Sequence, residues 1–343
     1  FPYTTLFRSD VAKCAGVSPA TVSRVLNDDP RITSNTRMRV LDWVERLDYK
    51  VNTIARSLKL SRTYTVGLVT PEIANDFFMR VAQAVEVRLR EDGYNLMICN
   101  SNESPEEERQ RIELLIEKCV DGLILIPTGA SGRHISFLEK SRVPVVLADR
   151  FLDGFSTDAV LVDNADGTRR AIDYLVDTGR RRFGFIGGNP DITTAAERYH
   201  GFQQAIETRG IPVDPRHVKF GDFHTEGGYE LMGELLREPD PPDTVFIANY
   251  YMHVGATQFL VRHWKGLPES LFIASFDDME LSQVVGYGGL TIAQPVDQIG
   301  TRAAEILLAR LEGSRNGFPR VERLRTRLVH HTRSEAATSS GTA

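Results

Sequence analysis

The chain has little cysteine: Cys14, Cys99 and Cys119 in 343 residues, odd in number and widely separated. They offer neither a disulfide framework nor a metal knuckle, and they suit a reducing cytoplasm. Long apolar runs are missing too, since none approaches the roughly 20 residues that cross a bilayer. The first residues lack the basic-then-apolar pattern of a secretory signal. Neither a membrane association nor export is therefore expected. Enzyme signatures are also wanting. There is no Walker A sequence, no Gly-x-Ser-x-Gly and no His-Glu-x-x-His, and Gly184-Phe-Ile-Gly187-Gly188 does not have dinucleotide-site spacing. The pair His330-His331 stands alone in a basic stretch and reads as solvated surface rather than a metal site. No catalytic residue, metal or cofactor is expected.

An apolar fraction of 41% with 25% charged residues describes a globular protein, and the length suits two to three domains. The net charge of −5 is unevenly spread: residues 1–62 hold eleven Lys/Arg and six Asp/Glu, and the remaining 281 hold 30 and 40. A basic head on an acidic body suggests a nucleic-acid-binding module joined to something with another task.

The head supports that reading. Asp10 to Ala15 is helix-prone and stopped by Gly16; Val17 is a buried turn residue; Ser18 is an N-cap with Pro19 in the first helical position. The next helix, 19–26, sets Val22, Val25 and Leu26 on one face and leaves Ala20, Thr21, Ser23 and Arg24 outward. A third helix from about Thr33 turns Val40, Leu41, Val44 and Leu47 inward and Arg37, Arg39 and Arg46 outward. Three short helices with a glycine turn and a small, polar, basic second helix make a helix-turn-helix, whose second helix enters the major groove. Arg24 can donate two hydrogen bonds to one guanine edge, while Ser and Thr hydroxyls reach phosphates or bases.

Asp10-Val-Ala-Lys-Cys-Ala-Gly-Val-Ser18, then Thr21-Val-Ser-Arg-Val-Leu-Asn27, then Leu47-Asp-Tyr-Lys-Val-Asn52, resembles the lactose/galactose repressor (LacI/GalR) family, and the likeness runs over nearly the whole chain. The resemblance implies a homodimeric regulator of double-stranded operator DNA. It places Pro19, Ala20 and Arg24 at base edges, with Ser18, Thr21, Ser23 and Asn27 completing the DNA-facing set. Pro19 has no donor and Ala20 only a methyl group, so specificity should lean on Arg24, on thymine methyls and on the hinge. Residues 1–9 depart from the family's start and match the translation of a common sequencing adapter, so they are expected not to be native. Arg8 then stands where an aliphatic anchor is expected, which should loosen the first helix.

The segment 52–58 spans one to two helical turns, marginal in water without a partner. The resemblance makes Leu58 an apolar wedge in the minor groove, with Ala55 allowing close approach of paired hinge helices and Asn52 and Arg56 facing the DNA backbone. A ligand that changes the spacing of the dimer partners would melt or order this helix.

From Thr65 onward, short apolar runs alternate with helical stretches: strands near 66–69, 95–99, 122–126 and 144–148, then a second set near 159–162, 183–186, 217–221, 244–248 and 271–276. This βα repetition gives an α/β body of two doubly wound parallel-sheet lobes. The resemblance implies a type I periplasmic-binding-protein architecture with three crossings between lobes. The expected boundaries are 1–50 for the helix-turn-helix, 51–63 for the hinge, 64–163 with 294–323 for the first lobe, 164–293 with 324–333 for the second, and 334–343 for a disordered tail. The tail lacks leucine heptads, so a dimer is expected.

Ligands in such sheets sit beyond the carboxyl ends of the strands. Asp149, Arg198, Asn249 and Asp277 fall there and match family effector positions. Phe77, Phe78 and Phe223 are expected aromatic walls, and Gln294 should lie at the crossover beneath the ligand. Carboxylates and a guanidinium that bond in pairs suit vicinal hydroxyls, hence a sugar-like effector. The bulky Tyr250-Tyr251-Met252-His253 departs from the family pattern and points to a larger or substituted ligand. The acidic run from Glu103 to Glu108 reads as the start of a helix, with Ser104 and Pro105 as its cap. Two other readings of the body, a transporter's solute-binding protein and a sugar-metabolising enzyme, lack respectively an export signal and a catalytic constellation.

Overall fold

A computed structural model describes residues 7–49, 62–263, 271–278 and 289–331. The chain divides into two compact units, Phe1–Thr63 and Tyr64–Ala343.

In the first unit, helices Arg8–Ala15, Pro19–Leu26 and Ser34–Arg46 close around Val11, Ala15, Val22, Val25, Val40 and Tyr49. Gly16 adopts φ 63° and caps the first helix, a left-handed conformation that costs glycine nothing. The Ser18 side chain accepts from the Thr21 backbone N–H at 3.1 Å, and Thr33 accepts from Thr36. Two details differ from the sequence reading. Leu41 is 45% exposed, because Val40 alone fills that turn of the third helix. Arg37 is held by Asp28 and by the Asp29 carbonyl, so it staples the inter-helix loop instead of standing free. The first helix does start at Arg8, and among the described residues its buried Nε has no hydrogen-bond partner. The hinge residues Asn52, Ala55, Arg56 and Leu58 lie outside the described residues.

The second unit holds two six-stranded sheets. The first has the order β11-β5-β4-β3-β1-β2 and the second β12-β10-β9-β8-β6-β7. The strands are β1 Thr65–Thr70, β2 Asn95–Asn100, β3 Gly122–Leu125, β4 Val145–Ala148, β5 Asp158–Val162, β6 Phe183–Gly187, β7 Val218–Phe220, β8 Thr244–Ile247, β9 Phe272–Phe276, β10 Gly289–Ala293, β11 Val321–Leu324 and β12 Arg327–His331. All pairings are parallel except β10 with β12. Central strands are buried along their length, as unbroken Val/Ile/Leu runs demand when helices cover both faces. β5, grouped with the second set of strand runs although it lies within 64–163, pairs with β4 in the first sheet, because the chain leaves that sheet only after Val162. It returns with helix Val296–Leu311, which packs on helix Asp76–Glu91, and β11 and β12 then fall in different sheets.

Two glycines set the packing of the helix pair nearest the second lobe's cleft edge. A Cβ on Gly255 would lie 1.8 Å from the Thr225 carbonyl oxygen, and one on Gly228 would lie 2.1 Å from that of Met252. Helices Thr225–Leu236 and Tyr250–His263 therefore touch backbone to backbone. In the first lobe, buried Asp158 binds Arg310 at 2.7 and 2.9 Å and also accepts from the Arg320 N–H, which ties the returning helix to β5. His331, expected as solvated surface, is half-buried at the end of β12, where Nε2 meets Asp278 and Thr291 at 2.9 Å each. His330 packs edge-on against Tyr174.

Candidate functional site

Parallel strands in each lobe end in loops that face one cleft, open to solvent. All eight residues expected at the effector site line it: Phe77, Phe78, Asp149, Arg198, Phe223, Asn249, Asp277 and Gln294. Asp149 follows β4, Phe223 follows β7, Asn249 follows β8, Asp277 follows β9 and Gln294 follows β10. Arg198 comes from the helix Thr193–Thr208 after β6, and the two Phe residues from the first turn of Asp76–Glu91.

The backbone is bent to put them there. Asp149, Phe223 and Asp277 have φ of 64°, 69° and 72°. Asp tolerates that region, but a bulky Phe does not, and each such residue costs of order 1–3 kcal/mol that the surrounding fold must offset. The Phe223 ring is wedged against Gly188, where a Cβ would come within 2.4 Å of it.

Arg198 is the centre of the polar network. Its Nε donates to Asn164 at 2.9 Å, its Nη1 donates to the Ala248 carbonyl at 2.7 Å, and its guanidinium lies 3.7 Å above the Phe276 ring. Asn249 donates to the Phe223 carbonyl at 2.8 Å and accepts from the Met252 N–H at 3.0 Å, capping the helix behind it. Asp277 accepts from Gln294 at 2.5 Å and from the Tyr250 N–H at 3.3 Å. Asp149 is 5% exposed, and its Oδ1 has no hydrogen-bond partner. Burial pushes its carboxyl up to about 6; Arg198 and Arg150 pull it back only in part. Burial likewise lowers the Arg198 pKa, against the pull of Asp277 and Asp149.

Sequence reasoning missed several lining residues. Glu103, assigned to helix capping, makes a two-pronged ion pair with Arg150 at 2.8 and 2.9 Å across the cleft floor. Its neighbour Glu108 is fully buried, accepting from the Thr128 N–H and meeting His134 Nε2, both at 2.6 Å. Ser104 does cap that helix. A run of acids whose first and last members are engaged inward gives no composition signal, so only the opposing Arg150 could have flagged Glu103. Glu72, Thr194, Asp222 and His224 also line the cleft without any such flag. Tyr250 and Tyr251, noticed as a departure, line it too. The Tyr251 hydroxyl reaches the other lobe, accepting from the Asp76 N–H at 3.2 Å and donating to the Ala74 carbonyl at 3.5 Å. Phe151 N–H donates to Thr193 Oγ1 at 3.1 Å, a second bond between lobes.

In the first unit, Ser18, Pro19, Ala20, Arg24 and Asn27 are exposed, and Thr21 and Ser23 partly so. Among the described residues the Arg24 side chain has no hydrogen-bond partner. Among the described residues no group of acidic, His or Cys side chains could hold a metal, and no helix is long and apolar enough to cross a membrane.

Comparison with known proteins matches residues 9–52 to the bacterial regulatory proteins of the lacI family, and residues 63–316 to the periplasmic binding proteins and sugar binding domain of the LacI family. The chain is 32% identical to the HTH-type transcriptional repressor PurR of Haemophilus influenzae (strain PittEE), covering 92% of this chain and 94% of that protein. It is also 32% identical to the ribose operon repressor of Escherichia coli (strain K12), covering 88% and 92%. The fold matches the Lac repressor bound to ONPG with a TM-score of 0.86 at 23% identity, over 96% of this chain and 100% of that one. These relatives are transcription regulators rather than enzymes.

Proposed function

The chain belongs to the LacI family of bacterial regulatory proteins, and we propose that it is a cytoplasmic, homodimeric repressor of carbohydrate-utilisation genes whose hold on its operator is set by a sugar or sugar derivative in the cleft. The observation that carries this is the junction of Asp149, Arg198, Asn249, Asp277 and Gln294 beneath the aromatic walls Phe77, Phe78 and Phe223. Vicinal hydroxyls donate to carboxylates and accept from a guanidinium, while the apolar faces of a pyranose stack on rings. The similarity to the ribose operon repressor supports a sugar, and the similarity to PurR together with the aromatic walls favours a purine base as the second reading.

The head would read DNA through Arg24, with Pro19 and Ala20 offering apolar contact and Ser18, Thr21, Ser23 and Asn27 the remaining polar surface. Asn52, Ala55, Arg56 and Leu58 would form the hinge that orders on the operator and transmits the lobes' spacing. A second copy would cover the edge strand β2, whose Met97 and Ile98 are exposed, and the edge strand β7, whose Phe220 is exposed.

The test is fluorescence anisotropy on an operator fragment recovered from genomic DNA by selection with the purified protein. Specific binding should weaken steeply with salt, with a log–log slope of about −0.9 per phosphate contacted. Arg198→Ala should leave operator affinity in place and abolish the ligand response. A normal response in that variant would move the effector site elsewhere.

A further inference from the structure

Resting on the reading of the cleft as the effector site, we propose that this cleft selects by charge: it takes a hydroxyl-rich ligand bearing no phosphate or carboxylate, and accepts an amino group in its place. Among the described residues, five carboxylates line the cleft against two guanidinium groups, and no lysine lines it. Of the two cations, Arg150 is neutralised by both oxygens of Glu103. Arg198 has Nε and Nη1 committed to Asn164 and the Ala248 carbonyl, between two buried carboxylates, Asp149 and Asp277. Glu72 and Asp222 add negative charge near the mouth. A phosphate entering this site would meet a net negative field, with Arg198 Nη2 as the guanidinium nitrogen left over and the buried carboxylates of Asp149 and Asp277 near it.

The unmet hydrogen bonding points the same way. Two buried cleft atoms without partners, Asp149 Oδ1 and Gln294 Oε1, are acceptors, so the ligand has to bring donors. Among the described residues the buried cleft donor without a partner, Arg150 Nε, belongs to a pair already balanced by Glu103 and can be served by a hydroxyl oxygen. Helix N-termini aimed at a cleft would ordinarily attract phosphate. At two of them N–H groups are already taken, since Asn75 accepts from Phe77, Asn249 from Met252 and Asp277 from the Tyr250 N–H, whereas the helix starts at Thr193 and Thr225 carry no side-chain cap.

Two measurements test this. The first is calorimetry on the full chain with matched probes: ribose and ribose 5-phosphate, fructose and fructose 1-phosphate, glucose, glucosamine and glucose 6-phosphate. The expected result is that the sugar which binds loses at least tenfold in affinity on phosphorylation and none on amination. A phosphorylated member binding as tightly as its parent overturns the proposal while leaving the effector site standing.

The second needs no ligand. His224→Cys, in a background with Cys14, Cys99 and Cys119 replaced by serine, places a thiol in the cleft lining. Its reaction rates with cationic and anionic methanethiosulfonates are compared with those of a free thiol. The cationic reagent should be favoured about tenfold over the free-thiol ratio, as a potential of a kT or more requires. Equal or reversed preference overturns the proposal. If no sugar binds while the cationic preference holds, the charge selection stands and it is the carbohydrate reading that fails.

Discussion

Asp149 should make effector affinity depend on pH in the neutral-to-acid range. Its carboxyl is buried, one oxygen has no donor, and its pKa is pushed up to about 6. A ligand hydroxyl or ammonium that donates to Oδ1 favours the charged form, so binding selects ionised Asp149 and tightens as pH rises through that pKa. About a tenth of the sites are ionised at pH 5 and about nine-tenths at pH 7, so the apparent Kd should be about tenfold weaker at pH 5. Titration calorimetry at pH 5, 6, 7 and 8, in two buffers of different ionisation enthalpy, reads both the affinity and the proton released. The ligand-free protein follows from the same sign. Its folded-state pKa is raised above the ordinary aspartate value of 3.8, so the native state holds the proton more tightly between the two values. Stability should then fall as pH rises from about 4 to 6 and level off above, by up to about 1.4 kcal/mol per pH unit. Asp149→Asn should flatten that slope in thermal unfolding and remove the pH dependence of binding along with most of the affinity. Affinity that is flat, or that tightens toward pH 5, would refute the reasoning, because Asp149 would then be acting as a neutral donor.

Three further perturbations probe the scaffold and the head. Arg24→Ala should cost about 1–3 kcal/mol of operator binding and relax specificity at one base per half-site; equal weakening on every sequence, read by anisotropy, would make Arg24 a phosphate contact. Gly255→Ala gains about 1 kcal/mol in helix propensity, but its Cβ would fall 1.8 Å from the Thr225 oxygen. The helix pair must part, so the net effect should be destabilising by about 1–3 kcal/mol in denaturant unfolding, with weaker ligand binding because Asn249 and Phe223 sit at the starts of those helices. Asp158→Ala leaves the Arg310 guanidinium, 9% exposed, without its partner, and should cost about 3–5 kcal/mol by the same measurement.

The two-lobed fold was legible because its strands are buried on both faces and therefore read as short, unbroken apolar runs between helical stretches. The run Ala159 to Val162 looks like any other strand, so periodicity groups it with the second set; the lobe boundary at 163 separates it from that set, and its pairing with β4 puts it in the first sheet. Asp149, Asn249 and Asp277 could be read because each ends a strand, the one position where a polar residue after an apolar run faces a cleft instead of a core. Their left-handed or capping backbones were not legible, since neither Asp nor Phe demands a positive φ as glycine would. Glu103 and Glu108 were hidden by local plausibility: an acid-rich first turn is sufficiently explained by the helix dipole, and the partners Arg150 and His134 lie far along the chain. Tyr251 shows the opposite case. It was conspicuous as a misfit to the family pattern, and the physical content of the misfit is a hydroxyl long enough to reach Ala74 and Asp76 on the other lobe. A residue that breaks a pattern at a strand end is therefore worth reading as a contact the pattern does not contain, here a bond that a ligand entering between the lobes would have to accommodate or replace.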